Sequence, residues 1–361
     1  MTALRLFAGR RAHARIVREG LDARSVAGVA AAAGGPKGLA FLGLDQWLFG
    51  EWLAAAPRPR LLAGASIGAW RMAAAIHPDG PAATRRLGEA YLELQRYPMR
   101  PSARQVAGAC RDIVCELLGD PARFVAGARP MQSLAVITAR ARGAIAQRVT
   151  RLAFARPAAA NLASRHALGA HLQRVVFGLD AHASHARVWP DDAFDTRHVA
   201  MDAANATDAL LASGTIPLVA DPVRNPAGAP PGLYWDGGLV DYHPFLRFHH
   251  LDGVLLYPHF AARLTPGWLD KELPWRRHGL PGAAGWLDDV LLAVPSPALL
   301  ARLPGGRLPD RADFHRHGPD HDTRLRLWRR SMAECAAMAD AFADFVRRPD
   351  PARLEPVERL R

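Results

Sequence analysis

Twice in the first 77 residues a short apolar run ends in a glycine-rich turn that opens a helix, and this repetition restricts the fold more than any other feature. Ser25–Ala33 is small and apolar without helical periodicity, as a strand buried on both faces would be. It breaks at Gly34-Gly35-Pro36-Lys37-Gly38, after which Leu39–Trp52 carries apolar residues at helical spacing. Pro36 suits a first helical turn, where its missing N–H leaves nothing unpaired. Arg60–Ala63 is a second apolar run, and Gly64-Ala65-Ser66-Ile67-Gly68 turns it into the alanine-rich, helix-favouring Ala69–Ile76. Strand–helix–strand–helix is the unit of a parallel sheet with crossover helices. The expected fold is therefore a three-layer α/β/α sandwich with a central, mainly parallel sheet.

Further along, residues 81–126 are mainly helical, with breaks at Tyr97-Pro98 and Asp120-Pro121. Leu134–Ala141 is a strand, Arg142–Gln173 is expected as helices with a loop, and His198–Met201 is a short strand before a helix over Ala203–Ser213. The Pro-, Gly- and Asn-rich Asp221–Gly232 is a loop between that helix and a strand at Leu233–Trp235. Gly253–Tyr257 is expected as the last strong strand, and Asp322–Val346 as one long amphipathic helix. Three segments follow: residues 1–22, a surface segment leading into the first strand; 23–260, the domain bearing the motifs; and 261–361, a helical C-terminal extension packed on the same core.

Several classes are excluded. No apolar run approaches the ~18–20 residues that span a bilayer. Cys110, Cys115 and Cys335 are an odd set without zinc-motif spacing, which fits a reducing, cytoplasmic compartment. The net charge of +12 suits an anionic partner such as a membrane surface. Because the arginines are scattered and do not alternate with aromatics, nucleic acid is not expected. Arg5, Arg10, Arg11, Arg15 and Arg18 give the N-terminus the look of an organellar presequence, a secretory signal is not expected because an apolar core and a small-residue cleavage site are missing, and a surface segment is the reading preferred. His182 and His185, and His315, His317 and His321 beside Asp320 and Asp322, lack metal-ligand spacing and are expected as solvated histidines, so no metal is anticipated.

Three motifs carry chemistry. Gly64-x-Ser66-x-Gly68, at a strand-to-helix junction, has the form of a nucleophile elbow, in which a serine on a tight, strained turn needs small neighbours. The loop Gly34–Gly38 offers backbone N–H groups to a phosphate or an oxyanion at a helix start. With Ala33 at the first position and no acid after the second strand it is not a dinucleotide fingerprint, and it lacks the spacing of a P-loop. In Tyr234-Trp235-Asp236-Gly237-Gly238-Leu239-Val240-Asp241, Asp236 ends a strand beside two glycines, where it is either an ordinary turn residue or a general base for Ser66. His243 and His259 leave open a Ser–Asp–His order of the α/β-hydrolase kind.

The order of glycine loop, G-x-S-x-G and Asp-Gly-Gly resembles the patatin-like phospholipases, acyl hydrolases with a Ser–Asp dyad and no catalytic histidine. Ala212-Ser213-Gly214-Thr215-Ile216-Pro217 is similar to the family's A-S-x-x-x-P block, and Asp236–Pro244 to its D-G-G-L-x-x-x-x-P stretch. The resemblance spans Ser25 to Tyr257. It implies Ser66 as nucleophile, Asp236 as base, and Gly34, Gly35 and the Ile67 N–H as the oxyanion hole. Gly38, Gly64, Gly68, Gly237 and Gly238 then support the motifs, and Lys37 stands where the family often has arginine. It also implies a lipid or other ester substrate and no cofactor. Ala33 and Pro36 depart from the pattern, and a lipid-binding protein on the same fold with weak catalysis is the alternative. Trp268, Trp275 and Trp286, with Arg276, Arg277, Leu291 and Leu292, form either an interfacial lid or a cap on the core.

Overall fold

The structure, a computed structural model, describes residues 2–179, 187–276 and 285–360. Among these residues eleven strands form one sheet: β1 (Leu4–Ala8), β2 (Val26–Ala31), β3 (Arg60–Ala65), β4 (Gln132–Ala141), β5 (Leu172–Leu179), β6 (Thr196–Ala200), β7 (Val223–Arg224), β8 (Leu233–Asp236), β9 (Val254–Pro258), β10 (Val290–Pro295) and β11 (Leu354–Pro356). Their order is β11-β1-β10-β9-β2-β3-β4-β5-β6, with β8 on β4 and β7 on β8. The central pairings β10–β9, β9–β2, β2–β3 and β3–β4 are all parallel. Antiparallel pairings flank them, at β1–β10, β4–β5 and β4–β8.

Successive side chains of a strand point to opposite faces, and here both faces are covered. Val29, Ala31, Leu62, Leu134 and Val136 enter one core, while Ala30, Leu61, Ala63, Ala135 and Ile137 enter the other. The first is closed by helices that include Ile67–Ile76, Pro81–Glu93, Ala103–Leu118, His321–Cys335 and Ala337–Arg347. The second lies under Ala144–Gln147, Arg151–Ala163 and Arg165–Gly169. The mostly parallel sheet between two helical layers is the expected α/β/α sandwich.

The flanks differ from expectation. Leu4–Ala8 is not a surface lead-in but a strand inside the sheet, hydrogen-bonded to β10 and β11. The arginines around it are ion-pair partners: Arg5 binds Glu355, Arg10 binds Asp288 and Arg11 binds Asp289. The C-terminal part is not purely helical, because it supplies β10 and β11, and so Val254–Pro258 is not the last strand. Leu291 and Leu292 belong to buried β10 and form no lid. Leu172–Leu179 is a further strand beyond the expected set. The C-terminal helix divides at Ala336 into two. His182, His185 and Arg277 lie outside the described residues.

Register brings the key segments together. β3 runs beside β4 as far as Ala65, opposite Ile137. β8 then takes up the same edge of β4 from the opposite direction, with Asp236 across from Thr138. The residue leaving β3 and the residue ending β8 thus arrive at neighbouring positions.

Candidate active site

Ser66, the residue leaving β3, has φ 56° and ψ −132°, a conformation that costs a serine of order 1–3 kcal/mol and persists only where the surroundings hold it. Its N–H donates to Ser213 Oγ at 2.9 Å, and the Ser213 hydroxyl donates to the Ile137 carbonyl at 2.7 Å. The turn also needs its two glycines. A Cβ on Gly64 would lie 2.6 Å from the backbone of Gly68, and one on Gly68 would lie 2.3 Å from the Ala31 oxygen. Ser66 follows the third strand of the chain rather than the second, because β1 precedes it.

The Ser66 hydroxyl donates to Asp236 Oδ2 at 2.8 Å, and the other carboxylate oxygen accepts from the Gly238 N–H at 2.7 Å. The Asp236 N–H is fixed in turn on the Thr215 carbonyl at 2.7 Å. Both side chains are buried, at 6% exposure for Ser66 and 7% for Asp236. Burial pushes the Asp236 pKa up from the ordinary carboxylate value, and the opposing pull of Gly238, Ser66, Arg311 and Lys271 does not cancel it. Gly237 passes directly over β4, where a Cβ would lie 2.1 Å from the Ile137 oxygen.

The glycine loop comes to the same place. Gly35 and Ile67 each begin a helix, so their N–H groups have no intrahelical acceptor. Both line the large cavity that opens on Ser66, and Gly34 lines a smaller one with Ser66, Asp236 and Gly238. Gly38 packs on Ile67, where a Cβ would lie 2.5 Å from that side chain. Lys37 is ion-paired with Asp310, which ties the loop to the C-terminal part.

The histidines stand apart from the pair. His243 Nδ1 accepts from the Thr265 N–H at 2.8 Å, His259 Nδ1 contacts Ala261, and the two rings meet edge-on 4.2 Å apart. Both carboxylate oxygens of Asp236 are accounted for without them. Among the described residues no group of three or more His, Cys, Asp or Glu is arranged to hold a metal. Trp268 borders the small cavity, Trp286 packs on Phe245, and Trp275 is exposed.

Sequence reasoning missed Ser213, Lys271 and Arg311 as parts of the site. Ser213 lies in the Ala212–Pro217 block already singled out, but nothing local marks it as the brace of Ser66. Lys271 lies over the Tyr242 ring at 4.0 Å, and burial with neighbouring cations lowers its pKa to about 8. Arg311 lines both cavities.

A model of the patatin-like phospholipase family matches residues 29–249, more than half of the chain, and the protein belongs to that family. Membership assigns it the general function of a lipid acyl hydrolase. No curated protein matches the chain. Among the described residues no helix is long and apolar enough to cross a membrane.

Proposed function

We propose that the protein hydrolyses carboxylic esters of lipids through an acyl-enzyme, with Ser66 as nucleophile and Asp236 as general base. The observation that carries this reading is the 2.8 Å hydrogen bond from the strained, braced Ser66 hydroxyl to a buried carboxylate with no ion-pair partner among the described residues. Asp236 takes the Ser66 proton as Oγ bonds to the ester carbonyl carbon, and the oxyanion is held by the N–H groups of Gly34, Gly35 and Ile67. The tetrahedral intermediate collapses, the C–O bond to the alcohol breaks, and the proton on Asp236 passes to the leaving oxygen. A water deprotonated by the same carboxylate then attacks the acyl-enzyme and releases the fatty acid. A carboxylate with a raised pKa is the stronger base. No step uses a metal or an organic cofactor.

The same reading makes the surface beside the site a peripheral contact with an anionic membrane. Leu152, Leu162, Leu218 and Trp275 are 80%, 60%, 44% and 67% exposed. Phe154 and Pro157 of the helix bearing Leu152 share an apolar cavity with Leu218 and Trp268. Exposed Arg148, Arg151 and Arg156 on and beside that helix supply charge complementarity. Leu218 also holds φ at 65°, a strain kept at an exposed apolar residue next to the site. The unpaired cysteines fit a cytoplasmic location.

Intact mass after treatment with a fluorophosphonate, on wild type and Ser66→Ala in parallel, tests the chemistry. A single adduct on wild type alone is expected. An unlabelled, folded wild type would instead favour a lipid-binding protein. Sedimentation with phosphatidylserine vesicles tests the surface: wild type is expected to pellet, and a Leu152→Ser, Leu162→Ser variant to remain in the supernatant.

A further inference from the structure

The cavity that opens on Ser66 has a volume of about 180 Å³, many times the ~10–15 Å³ that a single water needs, and so has room for a short chain. Its wall is largely apolar, yet it includes Arg311 and Arg324 and, among the described residues, no aspartate or glutamate. Arg324 is 1% exposed. Its Nη2 donates to the Gln95 carbonyl at 2.7 Å, whereas Nε and Nη1 have no hydrogen-bond partner among the described residues. Phe314 and Trp328 pack on the guanidinium with ring centroids at 4.4 and 5.2 Å.

The acids of the surrounding segment are already engaged. Asp313 pairs with Arg307 and Arg316 and accepts from the Trp328 indole, and Asp310 pairs with Lys37. Arg311 sits against the glycine loop: a Cβ on Gly35 would lie 3.8 Å from its Nη2. It also borders the smaller cavity with Asp236 and Gly34. A guanidinium keeps its proton at neutral pH, and a buried charge without a counter-charge is unfavourable. Its planar fork matches carboxylate and phosphate oxygens in pairs.

We propose that this cavity binds an anionic group, carboxylate or phosphate, carried by the ester substrate, with Arg311 holding it beside Ser66 and Arg324 providing the buried counter-charge. Both arginines lie outside the stretch that matches the family, so specificity for the anion resides in the C-terminal part of the chain. The proposal rests on the hydrolase reading for what the anion is attached to, but not for the anion site itself.

Two measurements separate those dependences. Titration calorimetry on Ser66→Ala needs no turnover: hexyl phosphate and hexanoate are expected to bind at least tenfold more tightly than hexanol, and Arg311→Gln to remove that advantage. Equal binding of the three probes would overturn the site whatever Ser66 does. In wild type, kcat/KM is compared within two ester pairs. The 4-nitrophenyl half-ester of adipic acid against 4-nitrophenyl hexanoate sets the anion on the acyl chain. Hexanoylglycerol phosphate against hexanoylglycerol sets it on the leaving group. In at least one pair the anionic member is expected to be favoured tenfold or more, and Arg311→Gln and Arg324→Met to collapse the ratio. A ratio near one in both pairs, or equal losses on both members in the variants, would refute the assignment. Arg311 is only half-buried, so its variant carries the test even where Arg324→Met does not fold.

Discussion

Asp236 and Asp241 lie five residues apart in one motif, both buried, in opposite electrostatic settings. Asp241 is gripped by Arg174, Nε to Oδ2 at 2.7 Å and Nη2 to Oδ1 at 3.0 Å, and Arg174, itself fully buried, also binds Asp192. Among the described residues Asp236 has only a serine hydroxyl and one backbone N–H. The paired carboxylate has its charge balanced and its lone pairs committed, so it fastens the chain as it leaves the sheet. The unpaired one keeps a raised proton affinity, and the proton within its reach belongs to Ser66. Identity and burial are the same in both; the partner separates an anchor from a base.

The most severe test of that contrast is Asp236→Asn. Esterase activity is expected to fall at least ~10³-fold, since the serine loses its base. Stability should move the other way. Burial sets the folded pKa of Asp236 above its unfolded value. Stability from this group is therefore complete below the unfolded pKa and is lost as pH rises through the folded one, so burying this carboxyl costs stability toward neutral pH. Thermal melts at pH 7 should show the variant at or above the wild-type Tm, with the gap closing below about pH 4. A variant that is both inactive and clearly less stable would make Asp236 a second anchor.

Asp241→Asn should do the reverse. Removing one partner of a buried ion pair costs about 3–5 kcal/mol, read from urea unfolding, while the protein that remains folded still takes the fluorophosphonate at Ser66. Loss of labelling at unchanged stability would invert the comparison. Ser213→Ala comes next. It leaves the Ser66 N–H and the Ile137 carbonyl unpaired, for about 1–3 kcal/mol, and should also slow labelling, because the turn that presents the hydroxyl loses its brace.

Which parts of this were legible in the sequence follows from the range of the forces involved. The two turns and Asp-Gly-Gly are local chemistry: a strained serine requires Gly64 and Gly68 beside it, and the pattern is written within five residues. β2 and β3, buried on both faces, announce themselves as unbroken apolar runs. β1 does not, because Leu4–Ala8 lies among arginines whose acidic partners, Glu355, Asp288 and Asp289, come from the far end of the chain. β10 is hidden in the same way, being six residues in a Pro- and Trp-rich region and sheet-forming only between β9 and β1. Ser213 stood inside a visible block, yet its role depends on contacts 147 and 76 residues away. Arg311 and Arg324 sit in no motif, and with 46 basic residues in the chain nothing marks these two until the structure turns them toward one cavity.

The finest test of the contrast is the acid limb of the pH profile. If Asp236 is the base, kcat/KM rises with pH as that carboxylate ionises, and its raised pKa moves the limb above the ~3.9 of an ordinary aspartate. The histidines shift the other way: burial lowers His243 well below its usual value and His259 to about 3, so His243→Gln is the control that separates them from Asp236. A limb near 6.5 that disappears in His243→Gln would hand the proton to a histidine and reduce Asp236 to its orienting partner. A limb above ~3.9, unmoved by His243→Gln and abolished along with activity in Asp236→Asn, is the outcome the dyad requires, because Asp236 has both the bond to the Ser66 proton and a pKa displaced in that direction.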